Sequence, residues 1–483
     1  MGAAIIWLST KYIARQELGF IGTLTNNAVL WSQVLLLGLH FTLTVYIHKY
    51  TEEKSKSDVL ISLSFLIPIA AGVLVAVPYF FFKEWFLRHF QPADRSFMEK
   101  YYLWLPLFTM LFIFMNMLEQ YLSSQMKVAI AAFMREVVLR IVNIFLIVLF
   151  AGGYINFSFL VAGTVLIYTL PVIILLILST KTKQFGISFR LSAFSRTEYK
   201  ELLHFSWYHF LLSMSILLMN YMDAVLLPFY DHEGFTAVAV YRVAVFLIAF
   251  LLLPQKALVP ASYTTLAKAF ADNDIDHARN IFVRSTVNIF IPTIFIAVLL
   301  ACNLPILTGI MKVGYEGITL TFIILFGGTL VNVATGMNDQ VLSIAKYYKF
   351  NFYLSLVLSS IQFVLLRMLI PLYGTYGAAT ATAITIILFN IAKCIFVWKK
   401  LGMQPFSINT LKIIACGIPA AVAGLLLPRF WHSATQIYLS AFVDASLRSL
   451  LITVVYVAML LWLKPSEDLI TFLASVRKNK RLF

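Results

Sequence analysis

Long apolar runs broken by short polar stretches recur along the whole chain. A helix needs roughly 20 such residues to cross a hydrocarbon core. On that rule the pattern predicts about fourteen spans, at 2–14, 20–48, 58–82, 102–122, 128–150, 156–180, 202–229, 236–260, 286–309, 317–342, 350–372, 375–397, 411–428 and 441–463. The first is short, with about a dozen residues before Arg15. Either that helix is truncated or its start lies upstream. The predicted fold class is all-α, a polytopic membrane protein without a soluble domain.

Composition agrees. Of 483 residues, 61% are hydrophobic and 12% charged, about half the charge of a soluble domain. The apolar run in "MGAAIIWLSTKY" is too short for a cleavable signal peptide. Cys302, Cys394 and Cys416 fall in or beside apolar runs, so no disulfide, metal or cofactor framework is expected.

The net charge of +15 matters through its placement. With the N-terminus inside, the inner connections hold roughly 23 of the 37 Lys and Arg and the outer ones roughly 8. That bias predicts both termini in the cytoplasm of a cell (inner) membrane, with "SVRKNKRLF" closing the chain on the inner face and anionic lipid attracted there. The scattered charges exclude a nucleic-acid patch. Trp85, Trp398, Trp431 and Trp462 sit near span ends, as interfacial residues do. Pro68, Pro171 and Pro254 lie inside spans and predict kinks or breaks.

A weak internal repeat is visible. "ARQELGFIGTLTNNAVLW" (14–31) aligns with "FYDHEGFTAVAVYRVAVF" (229–246), placing Leu18-Gly19-Phe20 on Glu233-Gly234-Phe235. Two six-span halves follow, a pattern of transporters. The domains expected are 1–190, 191–410, and 411–483 with two extra helices and a basic tail.

At these residues the chain resembles the polysaccharide-exporting (Wzx-like, O-antigen) flippases of the MOP (multidrug/oligosaccharidyl-lipid/polysaccharide) superfamily. "MDAVLLPFYDHEGFTAVAVYRVAVFLIAFLLLPQKALVPASYTTLAKAF" (222–270) is similar to that family's helices seven and eight, with Asp223 before the outer loop and Tyr241-Arg242 after it. "NDIDHARNIFVRSTVNIFIP" (273–292) resembles its inner linker, and "LIPLYGTYGAATATAITIILFN" (369–390) its outer turn between helices eleven and twelve. The resemblance implies two six-helix lobes in a V around a central cavity, with helices thirteen and fourteen peripheral. It implies a non-enzymatic transporter that flips undecaprenyl-diphosphate-linked oligosaccharide from inner to outer leaflet. Its partners would be that lipid, the membrane, a coupling proton or sodium ion, and other polysaccharide-assembly membrane proteins.

The candidate residues are charges inside spans. Asp223 and Arg242 flank a hairpin tip near residue 232 and should lie at similar depth, about 9 Å inside the boundary. An aspartate alone at a helix centre costs about 2.5–3.5 kcal/mol. Either the two form a structural pair, or Asp223 takes up a coupling ion, with Asn220 one turn away. In span five, Glu136 and Arg140 can pair at four-residue spacing, which leaves Arg135 without an evident local partner. Arg135 and Arg140 either snorkel or line a cationic cavity for a diphosphate, together with Arg242 and Lys256. Glu119, near the inner end of span four, is a proton site or an interfacial cap, and Asn338-Asp339 stand in a similar place in span ten. His40 and His48 read as packing or interface groups. Arg367 and Arg448, near outer ends, are expected to snorkel. The small-residue run "GTYGAATATA" (374–383) predicts close helix packing.

Three rivals remain. A MATE-type cation or drug antiporter should have a more acidic cavity. A peptidoglycan-precursor flippase would share the lipid diphosphate. A membrane polymerase or ligase would need a large catalytic outer loop, yet 83–100 reads as ordinary solvated surface.

Overall fold

The computed structural model describes residues 2–50, 52–182, 184–311, 314–315, 317–428, 437–466, 468 and 471. These residues contain helices and no strand. Trp431 and the basic tail 475–483 lie outside them. The chain divides into two compact units, Met1–Arg242 and Val243–Phe483.

The first unit runs from α1 (Gly2–Tyr12), α2 (Arg15–Leu36) and α3 (Leu39–Lys49) to α4 (Lys54–Phe81). Two short helices follow, α5 (Lys83–Leu87) and α6 (Pro92–Lys100), and then α7 (Trp104–Ser124). Next come α8 (Val128–Phe133), a π-helical turn at Met134–Val138, and α9 (Leu139–Ala151). α10 (Phe157–Leu166), α11 (Thr169–Thr180) and α12 (Arg196–Tyr230) complete it with the start of α13 (Phe235–Leu251). The second unit continues through α14 (Leu253–Ala271), α15 (Ile275–Gly309), α16 (Ile318–Ala334) and α17 (Asn338–Ile344). It ends with α18 (Tyr348–Leu401), α19 (Ile408–Leu426) and α20 (Ile437–Leu463).

Each predicted apolar run is therefore helical. Eight helices are individually long and apolar enough to cross a membrane, and bent pairs raise the number to 11. α18 alone carries two predicted runs, folded back at Gly374, whose φ of 56° suits a residue without a Cβ. The remaining runs are α1 and the interrupted α8–α9.

The breaks follow from local chemistry. α2 and α3 meet at 46°, where Leu37 and Gly38 both have positive φ. A Cβ at Gly38 would stand 2.2 Å from the Ser206 carbonyl oxygen of α12, so glycine lets that helix cross the break. Ser206 Oγ donates to the freed Leu37 carbonyl at 2.6 Å. A break inside a membrane requires such a partner because no water can serve. α13 and α14 are bent by 40°, with Pro254 just past the break, and Pro171 likewise follows the break before α11. Pro68 differs: it lies inside α4 without ending it.

The Gly-Phe pair lies in the second turn of α2 and at the start of α13, and the two copies of the aligned motif touch. Gly19 is pressed on the Phe235 carbonyl, with its absent Cβ only 1.6 Å from that oxygen. The Phe20 and Phe235 rings lie 5.5 Å apart, inside a cluster with Phe97, Tyr101 and Phe157.

In the second unit α15 is the hub, packed by α14, α16, α19 and α20, with Cys302 and Cys416 buried as free thiols. Arg448 does not snorkel. It is 7% exposed and donates to the carbonyls of Gly424 and of Leu427, the latter at 2.8 Å. It thereby answers the open carbonyls at the end of α19, which lipid could not. Arg367 is exposed. Replacing Arg448 with Met should cost about 1.5–3 kcal/mol, read as a lower melting temperature in detergent, with Arg448→Lys recovering part of the loss.

Candidate functional site

The intramembrane charges of the first unit fall into two sets. Asp223, on α12, is 5% exposed. It accepts a hydrogen bond from the Tyr241 hydroxyl of α13 and one from the Ala224 N–H at 2.7 Å. The hairpin register is thus as the residue count predicts, but the donor is Tyr241 and not the neighbouring Arg242. A helix turns successive side chains by about 100°, so Tyr241 and Arg242 cannot both face α12.

Arg242 instead points over α2. A Cβ on Gly22 would be 3.2 Å from its Nη1 and 3.3 Å from its Cδ, so Gly22 leaves the space the guanidinium fills. Nη1 is buried with no hydrogen-bond partner. Among the described residues no carboxylate lies within ion-pair distance of Arg242. It is seven residues into its helix, about 10 Å from that end.

Arg135 enters from the opposite end, seven residues past the start of α8, and lies on the π-helical turn. A π turn inserts one extra residue and reorients the side chains around it, often at functional sites. Here Arg135 turns to α7, where Glu119 lies at 2.5 Å and Asn116 Oδ1 accepts at 3.1 Å. Its missing partner is therefore supplied by another helix, which spacing along one helix could not reveal. Glu136 and Arg140 pair across one turn, with Glu136 exposed and Arg140 half-buried.

The Tyr168 ring packs against Phe108 and Phe112 of α7. It lies at the break between α10 and α11, halfway along span six. It is within electrostatic reach of Arg135, Arg242 and Glu119. One wall of the first unit thus carries Arg242 toward one end, Tyr168 midway, and Arg135–Glu119 toward the other. The other candidates stand apart. Asn220 is exposed and bonds its own helix at Ile216. Lys256 is exposed on α14 of the second unit. His40 is buried against Phe41. Among the described residues no group of three or more His, Cys, Asp or Glu could hold a metal.

The clefts of the same unit include an apolar and a polar one. An apolar one of about 480 Å³ runs between α2, α4 and α7, lined by Trp31, Leu35, Val75, Tyr79, Leu105 and Met110 among others. A polar one of about 320 Å³ includes Arg15, Gln16, Asp94 and Glu233. Asp94, 2% exposed, accepts from Gln16 at 2.8 Å and from the Phe235 N–H at 2.7 Å, and so caps the start of α13.

Sequence reasoning missed Lys393. It lies within span twelve, in "FNIAKCIFV" (389–397), and pairs with Asp339 at 3.1 Å. The signal was available: a lysine well inside an apolar run needs a partner.

No protein-family model matches the sequence, and no curated protein matches it. Solved structures do. Lipid II flippase MurJ, in an inward closed conformation, is similar over 95% of this chain and 97% of that one, with a TM-score of 0.68 and 17% identity. An inward-facing multidrug resistance MATE family transporter of the MOP superfamily is similar over 83% and 93%, at 0.63 and 14%. A MOP superfamily transporter from Pyrococcus furiosus, with a binding pocket of reverse polarity, is similar over 83% and 91%, at 0.54 and 12%. The chain is a multi-pass, all-helical membrane protein with the fold of the MOP-superfamily transporters.

Burial pushes the Asp94 carboxyl above its ordinary range, partly offset by its two donors. A carboxyl that binds protons more tightly when folded stabilises most at low pH, and the contribution fades as pH rises. Asp94→Asn should therefore flatten the pH slope of the melting temperature between about pH 4 and pH 7. Identical slopes for the two proteins would contradict this.

Proposed function

We propose that the chain flips a polyprenyl-diphosphate-linked oligosaccharide, a cell-surface polysaccharide precursor, across a cell (inner) membrane by alternating access. Both termini would face the cytoplasm, and the lobes that rock would be those expected at 1–190 and 191–410. The observation that carries this reading is the arginine wall of the first unit. Two guanidiniums flank a mid-span tyrosine, and one of them has no acid partner among the described residues.

An arginine held in hydrocarbon is expensive unless it faces water or an anion. A diphosphate is such an anion, and its oxygens match the fork of a guanidinium. Arg242 and Arg135 lie about 10 Å from opposite ends of the span. A headgroup passing from one side to the other would therefore meet a cation early and late on its path, with the Tyr168 hydroxyl between. Glu119 holds Arg135 until phosphate displaces it. Asp223, fixed by Tyr241, keeps the α12–α13 hairpin in the register that presents Arg242, and either reading of it, as anchor or as coupling-ion site, is compatible with this role. The reaction makes and breaks no covalent bond, so the protein acts as a transporter and not an enzyme.

A cationic wall disfavours export of cationic drugs. A second reading, a flippase for a peptidoglycan precursor, draws on the greater extent of the MurJ likeness, 95% of the chain against 83% for MATE. Both readings share the lipid diphosphate and differ in the sugar.

The test is reconstitution into vesicles with defined lipid-linked sugars. Arg242→Gln and Arg135→Gln should each slow headgroup translocation by about ten- to a hundredfold, the loss of one charge-assisted contact. Unchanged rates in both would remove the site. Faster transport of lipid II than of undecaprenyl-diphosphate oligosaccharide would select the second reading.

A further inference from the structure

The apolar cleft between α2, α4 and α7 has a neighbour. A second apolar cleft, of about 400 Å³, lies between α4 and the start of α7 and is lined by Val73, Val77, Phe80, Phe81 and Leu107. The two share Ala76, Pro106 and Met110 in their walls, so they adjoin along α4. On α4 the larger one reaches from Gly72 to Phe82, about 15 Å of helix. That is half of a hydrocarbon core of about 30 Å, the depth of one leaflet. Met110 closes the deep end, with its Cε only 2.3 Å from where a Cβ on Gly72 would stand.

The hydroxyls that line the clefts are engaged. Tyr79 donates to the Tyr102 carbonyl at 3.2 Å, and Thr109 to the Leu105 carbonyl at 2.8 Å. The walls therefore suit hydrocarbon. The mouth differs. Phe82 and Trp85 line that end of the larger cleft, and Lys83 lies between them in the chain. Its ammonium is 5.9 Å from the centre of the Tyr102 ring, which stacks at 4.1 Å on Tyr79 in the cleft wall. Lys83 also pairs with Glu99 at 3.1 Å, and both side chains are partly exposed. The mouth thus presents a cation and an anion side by side. An ion pair of this exposure is weak, so an entering headgroup can separate it.

We propose that the twin clefts hold one zwitterionic diacyl aminophospholipid, with an acyl chain in each cleft, its phosphate on Lys83 and its ammonium on Glu99. Two adjoining clefts of similar volume match two chains on one backbone, whereas a single-chain polyprenyl lipid would fill one of them. Their depth matches chains that start at the interface and end at the bilayer midplane. A head of both signs replaces the Lys83–Glu99 pair and leaves neither residue facing its like. A purely anionic head would set its phosphate against Glu99, and such like-charge contacts are unfavourable. Gly22, under Arg242, and Trp31, in the cleft wall, are nine residues apart on α2, which sets them on opposite sides of that helix. The lipid site is thus distinct from the arginine wall, and it does not rest on the transport reading.

The test titrates the full-length protein in detergent with phosphatidylethanolamine and counts retained lipid by native mass spectrometry. One molecule should be held, in preference to phosphatidylglycerol by about tenfold, and undecaprenyl phosphate should not displace it. Ala76→Phe, which fills both clefts with hydrocarbon, should abolish retention. Leu74→Phe, at an exposed position outside the cleft walls, should not. Lys83→Gln, at the open mouth, should weaken retention about tenfold without changing the melting temperature in lipid-free detergent, and Lys83→Arg should restore it. If Ala76→Phe does not fold, Lys83→Gln decides. The proposal is overturned if no lipid is retained, if undecaprenyl phosphate displaces the diacyl lipid, if phosphatidylglycerol binds as tightly, or if folded Ala76→Phe or Lys83→Gln retains lipid as the wild type does.

Discussion

The absence of water inside a membrane governs this structure more than any other constraint. Every polar group placed there must be answered by protein, because the lipid offers neither donor nor acceptor. The chain meets the demand repeatedly with single side chains. Ser206 answers the break at Leu37, Gln255 the break at Gly336, and Arg448 the open end of α19. Tyr241 answers Asp223, Glu119 and Asn116 answer Arg135, and Asp339 answers Lys393. Arg242 departs from the rule with a buried, unpartnered Nη1, as do Arg448 at its Nε and Asn338 and Asn351 at their Oδ1 atoms. Departures of this kind are where a ligand is expected to complete the set.

The helix breaks belong to the same logic. The two returning helices that carry the Gly-Phe repeat are both interrupted, after Leu36 and after Leu251, and span ten is interrupted after Ala334. Continuous helices would have been cheaper in lipid. Interruptions bring side chains such as Gln255 and Asn338 off the regular helical faces and give a rigid element a place to bend. In the first unit the polar groups form a ladder along one wall. In the second they form a compact knot around a lysine.

Much of the fold was legible because membrane helices announce themselves by length and apolarity. Every predicted run is helical, and the hairpin register that set Asp223 level with Tyr241 and Arg242 was readable from a residue count. What stayed hidden was rotation. Counting residues places Tyr241 and Arg242 at one depth, but only packing decides which of them turns to α12. The partner of Arg135 lay 16 residues away on another helix, and the π turn that redirects it leaves no mark in hydropathy. Pro68 shows the converse limit: a proline permits a break without dictating one. Lys393 was readable as an anomaly in an apolar run, and Asp339 as a carboxylate near a span end, but the fold alone joins them.

The central claim is that the guanidinium of Arg242 is completed by phosphate from the transported lipid. The most direct measurement compares translocation of one sugar carried on a polyprenyl diphosphate and on the matching monophosphate, in vesicles containing the wild type or Arg242→Gln. The account predicts a preference for the diphosphate of about tenfold that disappears in the variant. An equal preference in both proteins would show that Arg242 does not read the phosphate.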